Sequence, residues 1–130
     1  MKTELLYLTY VTTFTGILWI PYILDRLVTR GLMSSVGYPE NPKPQSPWAQ
    51  RMMKAHANAI ENLVIFAVLV LIANATGISN DIIGTASKVY FATRVVHAVA
   101  YTCAIPWLKT LSFAVGFAAQ AAIAVQILSH

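Results

Sequence analysis

Four apolar stretches, each about 20 residues long, dominate the chain, and a helix needs that length to cross a hydrocarbon core of about 30 Å. They cover residues 5–24, 56–76, 82–103 and 107–128. Only Glu61 interrupts the second with a charge, and only Lys109 the fourth. Composition points the same way. Hydrophobic residues make up 57% of the chain and charged residues 11%, whereas soluble domains carry about 25% charged residues. The chain reads as an all-α integral membrane four-helix bundle. It forms a single domain over residues 1–130, with spans near 5–28, 50–76, 81–103 and 107–128.

The first stretch reads as a retained span rather than a cleaved leader. Tyr7, Tyr10, Thr12, Thr13 and Trp19 interrupt it, and Asp25 and Arg26 follow it where a small-residue cleavage site would stand. The net charge of +4 does not indicate nucleic acid, because of where the charge sits. Arg26, Arg30, Lys43, Arg51 and Lys54 crowd in or beside the first loop, and the second loop has no basic residue. Lysine and arginine in short loops stay cytoplasmic, which places the first and third loops in the cytoplasm and both termini outside. The lone Cys103 allows no disulfide within one chain and reads as a small buried apolar residue.

Pro21 is expected to kink the first helix near its end, and Gly31 offers a stop. The first loop carries four prolines between Pro39 and Pro47, a composition that favours stiff extended backbone. Ser46-Pro47 resembles a cap followed by a first-turn proline, opening a helix that runs to about Ala75 and ends at Thr76-Gly77. The third helix begins near Asp81, and Pro106 ends it or opens the fourth. Ala114, Ala118 and Ala122 recur every four residues, a face that lets helices approach closely in lipid.

Ionisable groups inside spans cost several kcal/mol, so they mark function or interior contacts. In the second helix Arg51, Lys54, Asn58, Glu61 and Asn62 fall on one stripe at helical spacing. In the third, Arg94, His97 and Tyr101 do the same, and both stripes approach the first-loop side. One acid, Glu61, is expected to face Arg94 with Arg51, Lys54, Lys109 and Arg26 or Arg30 nearby. That positive surplus suits a small, hydrogen-bonding anion entering from the cytoplasm. The same residues also admit plainer roles: snorkelling for Arg51, Lys54 and Lys88, packing for His56, and an interhelical tie for Glu61 and Arg94. No helix-borne zinc spacing, phosphate loop or nucleophile elbow occurs, so no metal is expected.

Two of these segments carry a resemblance. Residues 51–62, RMMKAHANAIEN, and residues 94–101, RVVHAVAY, are similar to the second- and third-helix signatures of the MAPEG family, the membrane-associated proteins of eicosanoid and glutathione metabolism. The resemblance covers essentially the whole chain. It implies a homotrimer with glutathione, as co-substrate, held between subunits near the cytoplasmic face. Carried over by position, it implies glutathione contacts at Arg30, Arg51, Lys54, Asn58, Glu61, Arg94, His97 and Tyr101, with Glu61 meeting the tripeptide's amino group. The chemistry it implies is attack by glutathione thiolate on lipophilic electrophiles or hydroperoxides that arrive from the bilayer, with membrane lipids as surroundings.

The chain departs from the pattern in one place. Catalytic members of the family carry an arginine at the start of the fourth helix, and this chain has Pro106-Trp107-Leu108-Lys109-Thr110 there, with no arginine further along. The catalytic set implied is therefore Lys109, Tyr101 and Arg94, with Lys109 as a point charge in place of a guanidinium fork. A non-catalytic lipid- or glutathione-binding protein of the same fold is the second reading. A small transporter would also account for membrane-buried charge. The compact chain is expected in a bacterial inner membrane.

Overall fold

The computed structural model covers residues 1–130 and contains helices without strands. They are α1 (Thr3–Ile17), α2 (Trp19–Val36), α3 (Pro47–Ala75), α4 (Asp81–Thr102) and α5 (Pro106–Leu128). Leu18, between α1 and α2, keeps helical angles (φ −62°, ψ −21°), so these two make one bent column. Pro21 explains the bend. It has no N–H for the carbonyl of Ile17, and its ring crowds that carbonyl, so the helix breaks one turn before the proline rather than at it. The Leu18 N–H reaches back only to Thr15 O, at 3.4 Å.

Gly31 was expected to stop this helix. It takes φ 77°, ψ 168°, backbone that only glycine adopts easily, yet the chain turns there and resumes helix to Val36. The Ser35 hydroxyl steadies the bend by donating to Gly31 O at 2.7 Å.

Helices α3 and α4 end alike. The N–H of Ile78 donates to Ala73 O at 2.9 Å, and that of Ile105 to Ala100 O at 2.8 Å, closing the pattern in which the preceding residue is left-handed. That residue is Gly77 (φ 74°) after α3 but Ala104 (φ 59°) after α4. A Cβ in this region is strained, so Ala104→Gly should raise stability by about 0.5–1 kcal/mol. A thermal melt in detergent checks this, and an unchanged or lower Tm would contradict it.

Three helical columns are long and apolar enough to cross a membrane: Thr3–Val36, Pro47–Ala75 and Pro106–Leu128, with mean hydropathies of 1.2, 1.9 and 1.8. The sequence reading expected four. The odd one out is α4, which carries Asp81, Lys88, Arg94 and His97. Its 22 residues span about 33 Å, so polarity rather than length sets it apart. Its position accounts for the polarity, because α4 packs against α1, α3 and, most extensively, α5. Ser87, Tyr90, Arg94 and His97 are buried among these neighbours.

The core lies between the bundle's middle and the second loop. Phe66 of α3 stacks on Tyr90 of α4, ring centroids 4.1 Å apart, with Val11 of α1 and Ile123 of α5 in the same cluster. Outward faces are apolar too: Val64, Ile65, Val68 and Leu71 of α3 and Phe117 of α5 are exposed. Solvent water would penalise that surface and acyl chains would not.

On α5, the face that meets α4 is not the alanine stripe at 114, 118 and 122. Ser112, Gly116, Ala119 and Ile123 are buried instead. A Cβ on Gly116 would stand 3.2 Å from Thr93 Oγ1, so the two helices nearly touch there. Ala118 and Ala122 are left to line an open groove between α4 and α5. Polar ties close the second-loop end: the Ser79 hydroxyl donates to Glu4 Oε1 at 2.7 Å, and Asn80 Nδ2 to Gln126 Oε1 at 2.9 Å.

Candidate functional site

The first loop fixes where α3 begins. Asp25, near the end of the first column, accepts the Ser46 N–H at 3.0 Å, the Ser46 hydroxyl, and Gln45 Nε2 at 3.3 Å. Ser46 was expected to cap α3 with its side chain, but its hydroxyl is spent on Asp25. Gln45, 6% exposed, also donates to Tyr22 O at 2.7 Å and accepts from Arg26 Nε at 3.0 Å. Arg30 Nε donates to Lys43 O at 2.7 Å. Arg26 and Arg30 thus anchor the proline loop, and His56 joins α3 to α2 through a 2.7 Å hydrogen bond between its Nδ1 and the Tyr22 hydroxyl.

With α3 set, its polar stripe meets that of α4. Arg94 is 2% exposed and donates from Nη2 to Asn58 Oδ1 at 2.8 Å. Asn62 Nδ2 donates to Asn58 O at 3.1 Å, and Gln120 Nε2 of α5 donates to Asn62 O at 3.0 Å. A polar thread therefore crosses three helices in the bundle's interior. Two positions on it are unfilled: Arg94 Nε and His97 Nδ1 are buried and have no partner. Gln120 did not figure in the sequence reading. A buried glutamine in an otherwise apolar helix was the signal that would have found it.

Nearer the third loop, Arg51 Nε donates to Thr102 O at 2.9 Å, which stations the guanidinium at the end of α4. Arg51, Tyr101 and Lys109 share the wall of a cleft of about 250 Å³. Lys109 Nζ lies 4.5 Å from the centre of the Tyr101 ring, a cation–π contact that holds the amine over the aromatic face. The His97 ring meets the edge of Tyr101 at a centroid separation of 5.8 Å, linking cleft and interior thread.

Glu61 lies elsewhere. It was expected to face Arg94, but it is exposed and lines a separate groove of about 530 Å³ between α3 and α5, walled by Leu69, Phe113 and Phe117. The helical stripe is broad enough to split: Asn58 turns toward α4, while Glu61, three residues on, turns toward α5. Lys54 is exposed. Within one chain, then, the cations are gathered on the α4 side and the acid stands apart in an apolar groove.

A buried guanidinium without a carboxylate is costly, because the desolvation of the ion is not repaid. The arrangement can accept an anion at Arg94 and the Arg51–Lys109 cleft, and a cation or amine at Glu61. No curated protein matches the chain significantly. A family model described as MAPEG family matches residues 8–129.

Proposed function

The chain belongs to the MAPEG family, and on that premise we propose that it is a glutathione-binding membrane protein acting as a glutathione transferase or peroxidase on lipophilic electrophiles or hydroperoxides. One observation carries the reading: Arg94 is buried with a free Nε and no acidic partner in its own chain. A glutathione carboxylate supplies that missing charge, and the unpartnered His97 Nδ1 adds a hydrogen-bonding site beside it. Glu61 has the opposite deficit, an acid on an apolar wall. In a homotrimer, a neighbouring subunit covers this groove, and the tripeptide's ammonium group satisfies Glu61 there. Arg51, Tyr101 and Lys109 lie at the end of the bundle that carries the first and third loops, which supports a site toward that face. By the distribution of basic residues that face is cytoplasmic, in a bacterial inner membrane. Labelling of the exposed Cys103 by an impermeant maleimide from outside intact cells would reverse that orientation.

In the reaction proposed, the glutathione thiol loses its proton to water. The thiolate sulfur then bonds to the electrophilic carbon as the leaving group departs with its electron pair. With a hydroperoxide it bonds to the outer oxygen as the O–O bond breaks, and the alkoxide takes a proton to leave as the alcohol. A second glutathione then converts the sulfenic acid to disulfide and water. A free thiol near pKa about 8.5 is mostly protonated at neutral pH, so a neighbouring cation is needed to favour the thiolate. Lys109 and Arg51 stand at the cleft that suits this role, and the Tyr101 ring fixes where the Lys109 charge sits.

Titration of the purified protein with glutathione, followed by calorimetry and by thiolate absorbance, tests the proposal. Binding accompanied by thiolate is the expected result, and no binding would overturn it. Lys109→Ala should reduce turnover about tenfold while changing affinity little, since a charge that acts on developing thiolate is worth about 1.4 kcal/mol in the barrier. Equal losses of both would remove Lys109 from the chemistry. Binding without thiolate would favour the non-catalytic reading, which the lack of an arginine in α5 also supports.

A further inference from the structure

At the opposite end of the bundle from Arg94, two cavities of contrasting chemistry adjoin. One is a groove of about 450 Å³ between α4 and α5, almost wholly apolar, with Ala86, Val89, Val115, Ala118 and Ala122 in its walls. The other is a basin of about 590 Å³ lined only by polar residues and glycine, among them Lys2, Glu4, Asp81 and Lys88. Asp81 and Thr85 border both, so the apolar groove and the polar basin adjoin at the first turns of α4.

Glu4 gives the basin a chemical demand. It is 2% exposed, and its one hydrogen bond is from Ser79 to Oε1. Oε2 receives no hydrogen bond from the chain, and Glu4 makes no ion pair although Lys2 and Lys88 line the same basin. Glu4 lines the basin with one oxygen bonded to a neutral hydroxyl and the other open to the basin, so a donor that carries positive charge is the partner that suits it. The two lysines have the converse need, and they are as free of acidic partners as Glu4 is of basic ones.

The geometry points to a bound phospholipid with a primary-amine headgroup. Its ammonium donates to Glu4 and Asp81, its phosphate meets Lys2 and Lys88, and one acyl chain lies in the groove beside Ala118 and Ala122. An occupant that fills both is amphiphilic, because the two cavities adjoin and are opposite in polarity. A primary amine fits where a quaternary one does not, since ionised carboxylates accept hydrogen bonds and a choline group has no N–H to give. A second copy of this chain would seat an apolar helix in the groove and leave the basin's four charges unanswered. This site uses none of the residues assigned to glutathione.

Native mass spectrometry of the detergent-purified protein, with added phosphatidylethanolamine, phosphatidylcholine or diacylglycerol of the same acyl chains, tests the inference. One phosphatidylethanolamine should be retained per chain, at least about tenfold more than either competitor, since loss of charge-assisted hydrogen bonds is worth that much. Lys2→Gln/Lys88→Gln should abolish the preference over diacylglycerol, and Glu4→Gln/Asp81→Asn the preference over phosphatidylcholine, each leaving glutathione titration unchanged; Ala118→Phe, at an exposed position, should block retention by filling the groove. Equal retention of all three lipids, or preferences untouched by the lysine and carboxylate variants, would overturn the assignment. So would self-association of the chain that is lost in Ala118→Phe with no lipid retained by the unaltered protein. Because the glutathione titration is read on the same samples, failure here and failure of the transferase reading are told apart.

Discussion

Arg94→Ala should weaken glutathione binding by about 30-fold or more, since a hydrogen bond to a charged partner contributes about 1.5–3 kcal/mol. The effect is large because the guanidinium is buried, already oriented by Asn58, and keeps Nε free for a ligand. Arg94→Lys tests geometry against charge. It retains the cation but not the fork that reaches Asn58 and a carboxylate together, so it should recover only part of the affinity. The residue left without a partner by these variants is Asn58, not Glu61, and the double variant with Asn58→Ala should lose less than the sum of the singles. Calorimetry gives the affinities, and circular dichroism shows whether each variant is folded. Unchanged affinity in folded Arg94→Ala would remove the site from the α3–α4 contact altogether.

The family, the helical architecture and the apolar columns were legible because they rest on periodicity and on two contiguous motifs. Residues 51–62 and 94–101 each lie on one helix, where spacing fixes which side chains share a face. What spacing leaves open is which neighbour that face meets. Asn58 and Glu61 differ by three residues, close enough to count as one stripe, yet α4 takes the first and the α5 groove takes the second. Spacing likewise leaves open which neighbour the alanines of α5 meet. A small-residue face promotes close approach, but the residues that approach α4 are Ser112, Gly116, Ala119 and Ile123, set by where Thr93 leaves room. Arg30, which the resemblance gives as a glutathione contact, also donates from Nε to the Lys43 carbonyl. Contacts of this kind depend on a loop's path, and prolines define a loop's stiffness without its direction. The polarity of α4 was visible, and so was its consequence, an interior position for Arg94 and His97; which helices surround them was not.

Asp25→Ala should lower the Tm more than any other change outside the core, because one carboxylate, held under the first loop, organises that entire loop. At 8% exposure it accepts from the Ser46 backbone, the Ser46 hydroxyl and Gln45. Without it, Gln45 and Ser46 lose their shared acceptor, and the stiff proline segment has only Arg30 and the remaining Gln45 contacts to hold its course. The local release is measurable as faster cleavage at exposed Glu40 by a glutamate-specific protease, together with a lower Tm. Asp25→Asn keeps the shape and one acceptor oxygen, and should show about half the loss, since the charge-assisted share of the bonds disappears. Ser46 immediately precedes α3, and Arg51 lies about one turn into that helix, where it donates to the Thr102 carbonyl. Loosening Ser46 therefore moves Arg51 relative to Lys109 and Tyr101, and glutathione affinity should fall along with stability. If affinity holds while the loop becomes protease-sensitive, the start of α3 is positioned by its packing against α4 alone, and the Asp25 network serves the loop rather than the site.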